Sequence, residues 1–392
     1  MKKLLSLSVL LIVIQFANSQ ALGYSDLAQL FSRDDFNGSA RFEALSGAFG
    51  ALGGDIGSMV INPAGLSVFR NNKATATFQS RNTDINTLYY GTSRLNQDEF
   101  FNISQAGAVL VFDDVYSSEW SNIALGVNYR VRADLDDTFL SEGNSGFATF
   151  TDFPLDNNTT PFVYDTSENQ RFTNFFTGEI TELNLGFSAI HREKLHLGIA
   201  INLVGLNFAQ QSILRETNND GNGNVLAARF YQENFTTGNG FSFAAGMIYK
   251  PTQALRFGLS YQSPTWFSEI IEDTNITNND GYFGDTEIRV SNDNIIYDNT
   301  VGTLPFQSLL YRLRTPSRVT LSSALVFGKL GLISLDYSSR NFQNMNLSGD
   351  NFVEENRFFN TGLRRTNNLN IGTEWRFSRL SLRAGYRYQE SP

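Results

Sequence analysis

Along most of this chain, every second residue is apolar. One segment sets Leu195, Leu197, Ile199, Ile201 and Leu203 against His196, Gly198, Ala200 and Asn202. A second sets Leu255, Phe257, Leu259 and Tyr261 against Arg256, Gly258, Ser260 and Gln262. A third sets Leu369, Ile371, Thr373, Trp375 and Phe377 against Asn370, Gly372, Glu374 and Arg376. A period of two belongs to the β-strand, whose successive side chains point to opposite faces. One face is apolar and the other carries Arg, Glu, Asn and Gly, so the two faces meet different surroundings. Lipid outside and a polar lumen inside satisfy both, which predicts an all-β fold, a transmembrane antiparallel β-barrel.

The pattern predicts strands over 73–90, 101–113, 120–132, 180–191, 195–210, 229–250, 254–263, 315–327, 331–341, 366–377 and 380–390. The connections at 192–194, 251–253, 328–330 and 378–379 are short. Those at 133–179, 211–228, 264–314 and 342–365 are long and rich in Asn, Asp, Gly and Thr. Outer-membrane barrels keep short turns in the periplasm and long loops outside, so the first strand rises from the periplasm. Region 73–113 must then hold two strands. The resulting count is eleven. A single-chain bacterial barrel normally has an even number, and an open edge in lipid leaves unpaired amides. The expectation is a barrel over 73–392 truncated at its C-terminus, with an odd number of strands missing.

The chain opens with Met1-Lys2-Lys3, an apolar run from Leu4 to Phe16, then Ala17-Asn18-Ser19. This is the layout of a signal peptide over 1–19, cut before Gln20, and it predicts export to the outer membrane of a Gram-negative cell. No later stretch is apolar for long enough to form a spanning helix. The absence of Cys excludes disulfides and thiolate metal sites. The net charge of −9 argues against nucleic acid as a partner. Acids such as Asp134, Asp136, Asp137, Glu142, Asp152 and Asp156 fall in the long connections, as solvated loops would place them. The aromatic groups Tyr89-Tyr90, Phe100-Phe101, Phe172 with Phe175-Phe176, and Trp266-Phe267 lie near loop bases, where interfacial girdles form.

Residues 20–72 are different. Tyr24, Leu27, Leu30 and Phe31 have near-helical spacing after Ser25, which predicts a short helix. The run from Gly38 to Asp55 is dense in Gly and Ala, as close packing requires. In Ile61-Asn62-Pro63-Ala64-Gly65-Leu66 the Asn-Pro step ends any helix and starts a turn.

The segment from Gly38 to Leu66 resembles the hatch of the FadL/TodX family, outer-membrane transporters of long-chain fatty acids and aromatic hydrocarbons. Three marks carry the resemblance: the Gly/Ala run, Asp55-Ile56-Gly57-Ser58-Met59, and Asn62-Pro63-Ala64-Gly65 just before the first strand. It implies a barrel of fourteen strands, which eleven plus three missing would match, with 20–72 as the plug in its lumen. It also implies passive transport of hydrophobic compounds: an outer groove, a luminal pocket and a sideways exit where an early strand kinks. Gly126 is either that kink or a packing position. Family members in related bacteria also serve as non-transporting subunits of secretion or assembly complexes. The implied partners are therefore outer-membrane lipid, a hydrophobic small molecule and, in the alternative, other outer-membrane proteins.

Little points to catalysis, to a metal or to any cofactor. The histidines are His191, beside a turn, and His196, on the luminal face, and neither has zinc-site spacing. The stretch from Asn218 to Asn224 lacks the twelfth-position acid of a calcium loop. More informative are the luminal polar positions Arg130, Arg256, Asp336, Glu374, Arg376, Arg383 and Arg387. Arginine there can pair with hatch acids such as Glu43 or Asp55, or grip a ligand carboxylate. Both signs stand on the wall, which favours structural pairing.

Overall fold

A computed structural model describes residues 22–112, 119–153, 162–278, 288–290, 296–297 and 306–392. The signal peptide expected over 1–19, and Asp156, lie outside the described residues.

One antiparallel sheet of fifteen strands dominates. In chain order they are β1 (Lys73–Tyr89), β2 (Thr92–Phe112), β3 (Trp120–Asp134), β4 (Asp137–Gly143), β5 (Thr166–His191), β6 (Leu195–Asn219), β7 (Val225–Tyr249) and β8 (Leu255–Gln262). Then follow β9 (Trp266–Asn278), β10 (Phe306–Arg314), β11 (Arg318–Phe327), β12 (Gly331–Asn341), β13 (Asn346–Ser348), β14 (Arg365–Phe377) and β15 (Leu380–Gln389). The wall runs β1-β2-β3-β5-β6-β7-β8-β11-β12-β14-β15, eleven strands in sequence order. The other four extend it: β4 pairs with β5, β9 bridges β7 and β10, and β13 pairs with β10.

The alternation read from the sequence is the burial pattern of the wall. Leu197, Ile199, Phe257 and Leu259 are exposed on the outer face, and Asn202 and Glu374 are buried. Ile371 and Trp375 share the outer face but are half-exposed, with Trp375 stacked on Phe327. Arg256 is half-buried at the rim.

The long connections differ from expectation. Much of 133–179, 211–228 and 264–314 is strand: β5, β6 and β7 run on well past the predicted ends, so that β6 and β7 meet at a turn over 220–224. These extensions are polar, as in Arg215, Glu216 and Arg229. The outward face turns polar there while the hydrogen-bonded ladder continues, and Phe172, Leu214 and Leu226 stay buried on the other face.

The N-terminal segment packs against the inward face of the wall. It holds α1 (Tyr24–Phe31), α2 (Ala40–Ala44), α3 (Ser58–Ile61) and a 3-10 turn (Pro63–Val68). A further helix, α4 (Val353–Gly362), precedes β14. Helix α1 forms where the spacing predicts, burying Leu27, Ala28 and Phe31. Ser39 caps α2 by accepting from Phe42 N at 3.1 Å. Gly53 has φ +61°, and a Cβ there would meet Gly65 Cα at 2.7 Å, so the turn needs glycine on both conformational and steric grounds.

Candidate functional site

Three layers stack between the two ends of the barrel. The first is a floor at the short-turn end, built on Asn62-Pro63-Ala64-Gly65. Pro63 takes the first position of the 3-10 turn, where its missing N–H costs nothing. The Asn62 side chain accepts from Ala64 N at 3.1 Å and donates to Gly50 O at 2.7 Å and to Met247 O at 3.0 Å. One residue thus caps the turn, closes the hatch on itself and ties it to β7. All four motif residues are buried.

The wall makes room for this floor with small residues. A Cβ on Gly126 or Gly186 would meet Leu66 at 2.7 Å, one on Gly198 would strike the backbone of Pro63 and Ala64, and one on Gly246 would strike Asn62. Gly126 is therefore a packing position. Asn122, at φ 49°, donates to Ser67 O and Phe69 O and so anchors the exit of the turn. His196 lies against Ser67, with Nδ1 and the hydroxyl 2.8 Å apart.

The second layer is polar. Asp34 of the hatch pairs with Arg130 at 2.9 Å and Arg318 at 3.1 Å. Burial alone would raise the Asp34 pKa, but Arg130, Arg318, Arg132 and Arg340 together hold it well below the ordinary carboxylate range. Glu182, fully buried, lies 3.4 Å from Arg130 and 3.8 Å from Arg132. A chain of side-chain bonds crosses five strands beside it. Gln105 donates to Asn128 (2.9 Å), Asn128 to Asn184 (3.0 Å), Asn184 to Asn202 (2.8 Å) and Asn202 to Ser242 (3.0 Å). A cavity of about 60 Å³ remains here, lined among others by Asp34, Arg130, Arg318, Asp336 and Arg340.

A second ionic group joins hatch to wall. Glu374 binds Arg41 of the hatch at 2.8 Å, together with Arg376 at 2.8 Å and Arg383 at 3.1 Å. The remaining luminal positions bond differently. Arg256 donates to Leu52 O at 3.0 Å, Asp336 accepts from Gly50 N at 2.9 Å, and Arg387 lies over the Phe36 ring at 4.7 Å. The wall arginines do not take Glu43 or Asp55 as partners. Those acids serve the hatch's own backbone: Glu43 accepts from Gly38 N at 3.0 Å, and Asp55 from Gly57 N at 3.0 Å and Ser39 Oγ at 2.7 Å. Both lie within five residues of the backbone donor they take.

The third layer, toward the long loops, is apolar and filled. Leu27, Ala28 and Phe31 of α1 pack among Leu135, Val204, Leu206, Phe208, Phe267, Tyr311, Phe342 and Phe359. Phe31 meets Phe208 edge-on at 5.8 Å. Tyr24, at the outer end of α1, closes a cavity of about 460 Å³ with Leu309, Phe352 and Glu355. The turn at Asp220 accepts from Asn222 N and Asn224 N at 2.8 and 3.0 Å, so it is closed by its own amides.

Beside the upper layers the wall has a gap. Strand β2 pairs with β3 only from Gln105 to Phe112; residues 92–104 pair with β1 alone. At that level β3 bulges, its register to β5 shifting between Val131 and Ala133. Arg130 and Arg132, two apart on the inward face of β3, both reach Glu182. The β3 carbonyls freed from β2 go to the hatch: Asn37 Nδ2 donates to Val131 O at 2.7 Å and Asp35 N to Arg132 O at 2.8 Å. A cavity of about 210 Å³ lies there, lined by Arg33, Asp35, Asn37, Arg81, Phe100, Asn102 and Asp134 among others. Sequence reading missed Asp34, Asn37, Glu182 and Arg318. Glu182 carried a signal, standing with Asn184, Gly186 and Ser188 on one face of β5.

The CymD monoaromatic hydrocarbon channel is similar in fold, with TM-score 0.52 and 12% identity, over 90% of this chain and 84% of that one. The fold is that of the FadL and TodX channels. The Ralstonia pickettii toluene transporter TbuX superposes with TM-score 0.51 and 18% identity, over 91% of this chain and 87% of its own. A Pseudomonas aeruginosa FadL homologue gives 0.53 and 13%, over 92% and 81%. No family model matches the sequence. No curated protein matches it either. At these identities the likeness is one of FadL-type architecture.

Proposed function

We propose that this barrel admits small hydrophobic compounds, long-chain fatty acids or aromatic hydrocarbons, passively across the outer membrane and releases them sideways into the bilayer. The gap between β2 and β3 carries this reading. A straight path down the lumen would cross the layer of Asp34, Arg130, Glu182 and Arg318, where an apolar body gains nothing and strips buried charges of their partners. The gap opens beside the apolar layer and leads to lipid. Residues 33–37 of the hatch line it, and β4 borders it where Leu140 N donates to Asn96 of β2 at 3.0 Å. In this reading α1 holds the place of the cargo, and a ligand entering beside Tyr24 displaces α1 and withdraws Asp35 and Asn37 from β3. Burial of apolar area supplies the drive, at about 25 cal/mol per Å².

One observation favours a different role. The apolar layer is packed and the polar cavity is small, as in a barrel that serves as a subunit of an outer-membrane secretion or assembly complex. Growth separates the two. A deletion strain should fail on one or more of a panel of long-chain fatty acids and alkylaromatics as sole carbon source. Normal growth on all of them, with loss of protein secretion or outer-membrane assembly, would sink the importer and favour the subunit. Substituting Asn62 and Pro63 should leave the barrel folded but impair uptake.

A further inference from the structure

Three cations converge at the short-turn rim with no acid to answer them. Arg70 lies in the link between the 3-10 turn and β1, Lys250 in the turn after β7, and Arg256 at the start of β8. The ladder places the last two together. Tyr249 pairs with Phe257, so Lys250 and Arg256 flank the next rung. They share the inward face of Ile248, which is fully buried, and Gly258. The electrostatic neighbours of Lys250 are Arg256 and Arg70, both cations. Among the described residues no carboxylate pairs with any of the three, and the one hydrogen bond of an Arg256 side-chain group goes to Leu52 O.

A second observation lies just inside the rim. His196 is 1% exposed; Nδ1 is engaged with Ser67, and Nε2 is buried without a partner. The charges that act on its ring are those of Lys250, Arg256 and Arg70. Burial, then Arg256 and Arg70, pull the Lys250 pKa down to about 7. Burial and two neighbouring cations thus disfavour the Lys250 charge, and an anion bound between Lys250 and Arg256 would restore it.

We propose that Arg70, Lys250 and Arg256 form a site for a phosphate-class anion at the periplasmic rim of the barrel. Three positive groups from three elements match a dianionic tetrahedral group better than a single carboxylate. The anion is either free phosphate or the headgroup phosphate of an inner-leaflet phospholipid. The site stands whatever the barrel carries.

The test uses the full chain in a non-ionic detergent, with gel mobility before and after heating as the control for folding. Inorganic phosphate is titrated by calorimetry, and co-purified phospholipid is counted by native mass spectrometry. Lys250→Gln and Arg70→Gln should weaken phosphate binding at least tenfold or abolish the phospholipid adduct. Lys250→Arg should keep it, and Lys329→Gln, in a neighbouring turn, should change nothing. Loss of phosphate binding alone assigns the site to the free anion, and loss of the adduct alone assigns it to the headgroup. Phosphate and phospholipid levels that are the same in wild type and in both glutamine variants would overturn the proposal, as would Lys329→Gln being equally damaging.

Discussion

Asn62 does at residue scale what the hatch does as a whole: it caps its own turn, closes the hatch loop and ties it to the wall. Asn62→Ala should cost about 2–3 kcal/mol of hatch docking, since two carbonyls and one N–H lose their partner at roughly 1 kcal/mol each. Denaturant-induced release of the hatch, followed by protease access, measures this. Gly198 has the opposite role, offering absence. Gly198→Val places branched carbon against the Pro63 and Ala64 backbone, and overpacking of this kind costs about 1–3 kcal/mol. Asp34 sets the pH behaviour. Its pKa is depressed in the docked hatch by the arginines around it. Its stabilisation is therefore complete above its ordinary titration, at about pH 4, and is lost only as pH falls through the lower docked value. The Asp34 contribution to hatch docking should stay level from neutral pH to about 4 and be lost in stronger acid, read as the difference between wild type and Asp34→Asn. Asp34→Asn should lose about 3–5 kcal/mol at neutral pH, because Arg130 and Arg318 stay buried with one partner fewer. Loss of the difference between the two proteins already at pH 5 would contradict this assignment.

Elements divide into those the sequence announces and those it hides. Strands such as β6 and β8 are legible because lipid and lumen impose opposite chemistry on alternate residues. Helix α1 is legible because Leu27 and Phe31 repeat at helical spacing. The outer halves of β5, β6 and β7 are not: their buried face mixes Phe172, Leu214, Leu226 and Ala228 with Gln170, Ser212, Glu216 and Asn218, so hydrophobicity carries little period there. The bulge in β3 is hidden for another reason. Nothing in Val131-Arg132-Ala133 marks a change of partner from β2 to the hatch, because the cause sits in Asp35 and Asn37, about a hundred residues earlier. The candidate site was legible to the same degree. Asn62-Pro63-Ala64 stood out as a motif, whereas the pairing of Asp34 with Arg130 needed the fold. The face assignment gives a direct check. Spin labels at Leu197, Ile199 and Phe257 should respond to lipid-soluble quenchers and labels at Asn202 and Glu374 to water-soluble ones. Equal response at adjacent Arg256 and Phe257 would contradict the wall as described.

At the scale of the molecule, the three layers make one device. The floor packs across the short-turn end, the ionic layer lies behind it, and α1 fills the apolar layer beside a gap in the wall. Removing residues 20–72 should unseal the barrel and raise ion conductance in planar bilayers; unchanged conductance would count against a plug. The central claim concerns the gap. Its most direct measurement is uptake of labelled long-chain fatty acids and alkylaromatics by a deletion strain that carries either the wild type or Asn102→Trp. Asn102 lines the cavity of about 210 Å³, and indole there fills the way out while touching neither the floor nor the ionic layer. Release through the wall predicts that Asn102→Trp folds, inserts and fails to restore uptake that the wild type restores. Uptake restored equally by both would contradict it.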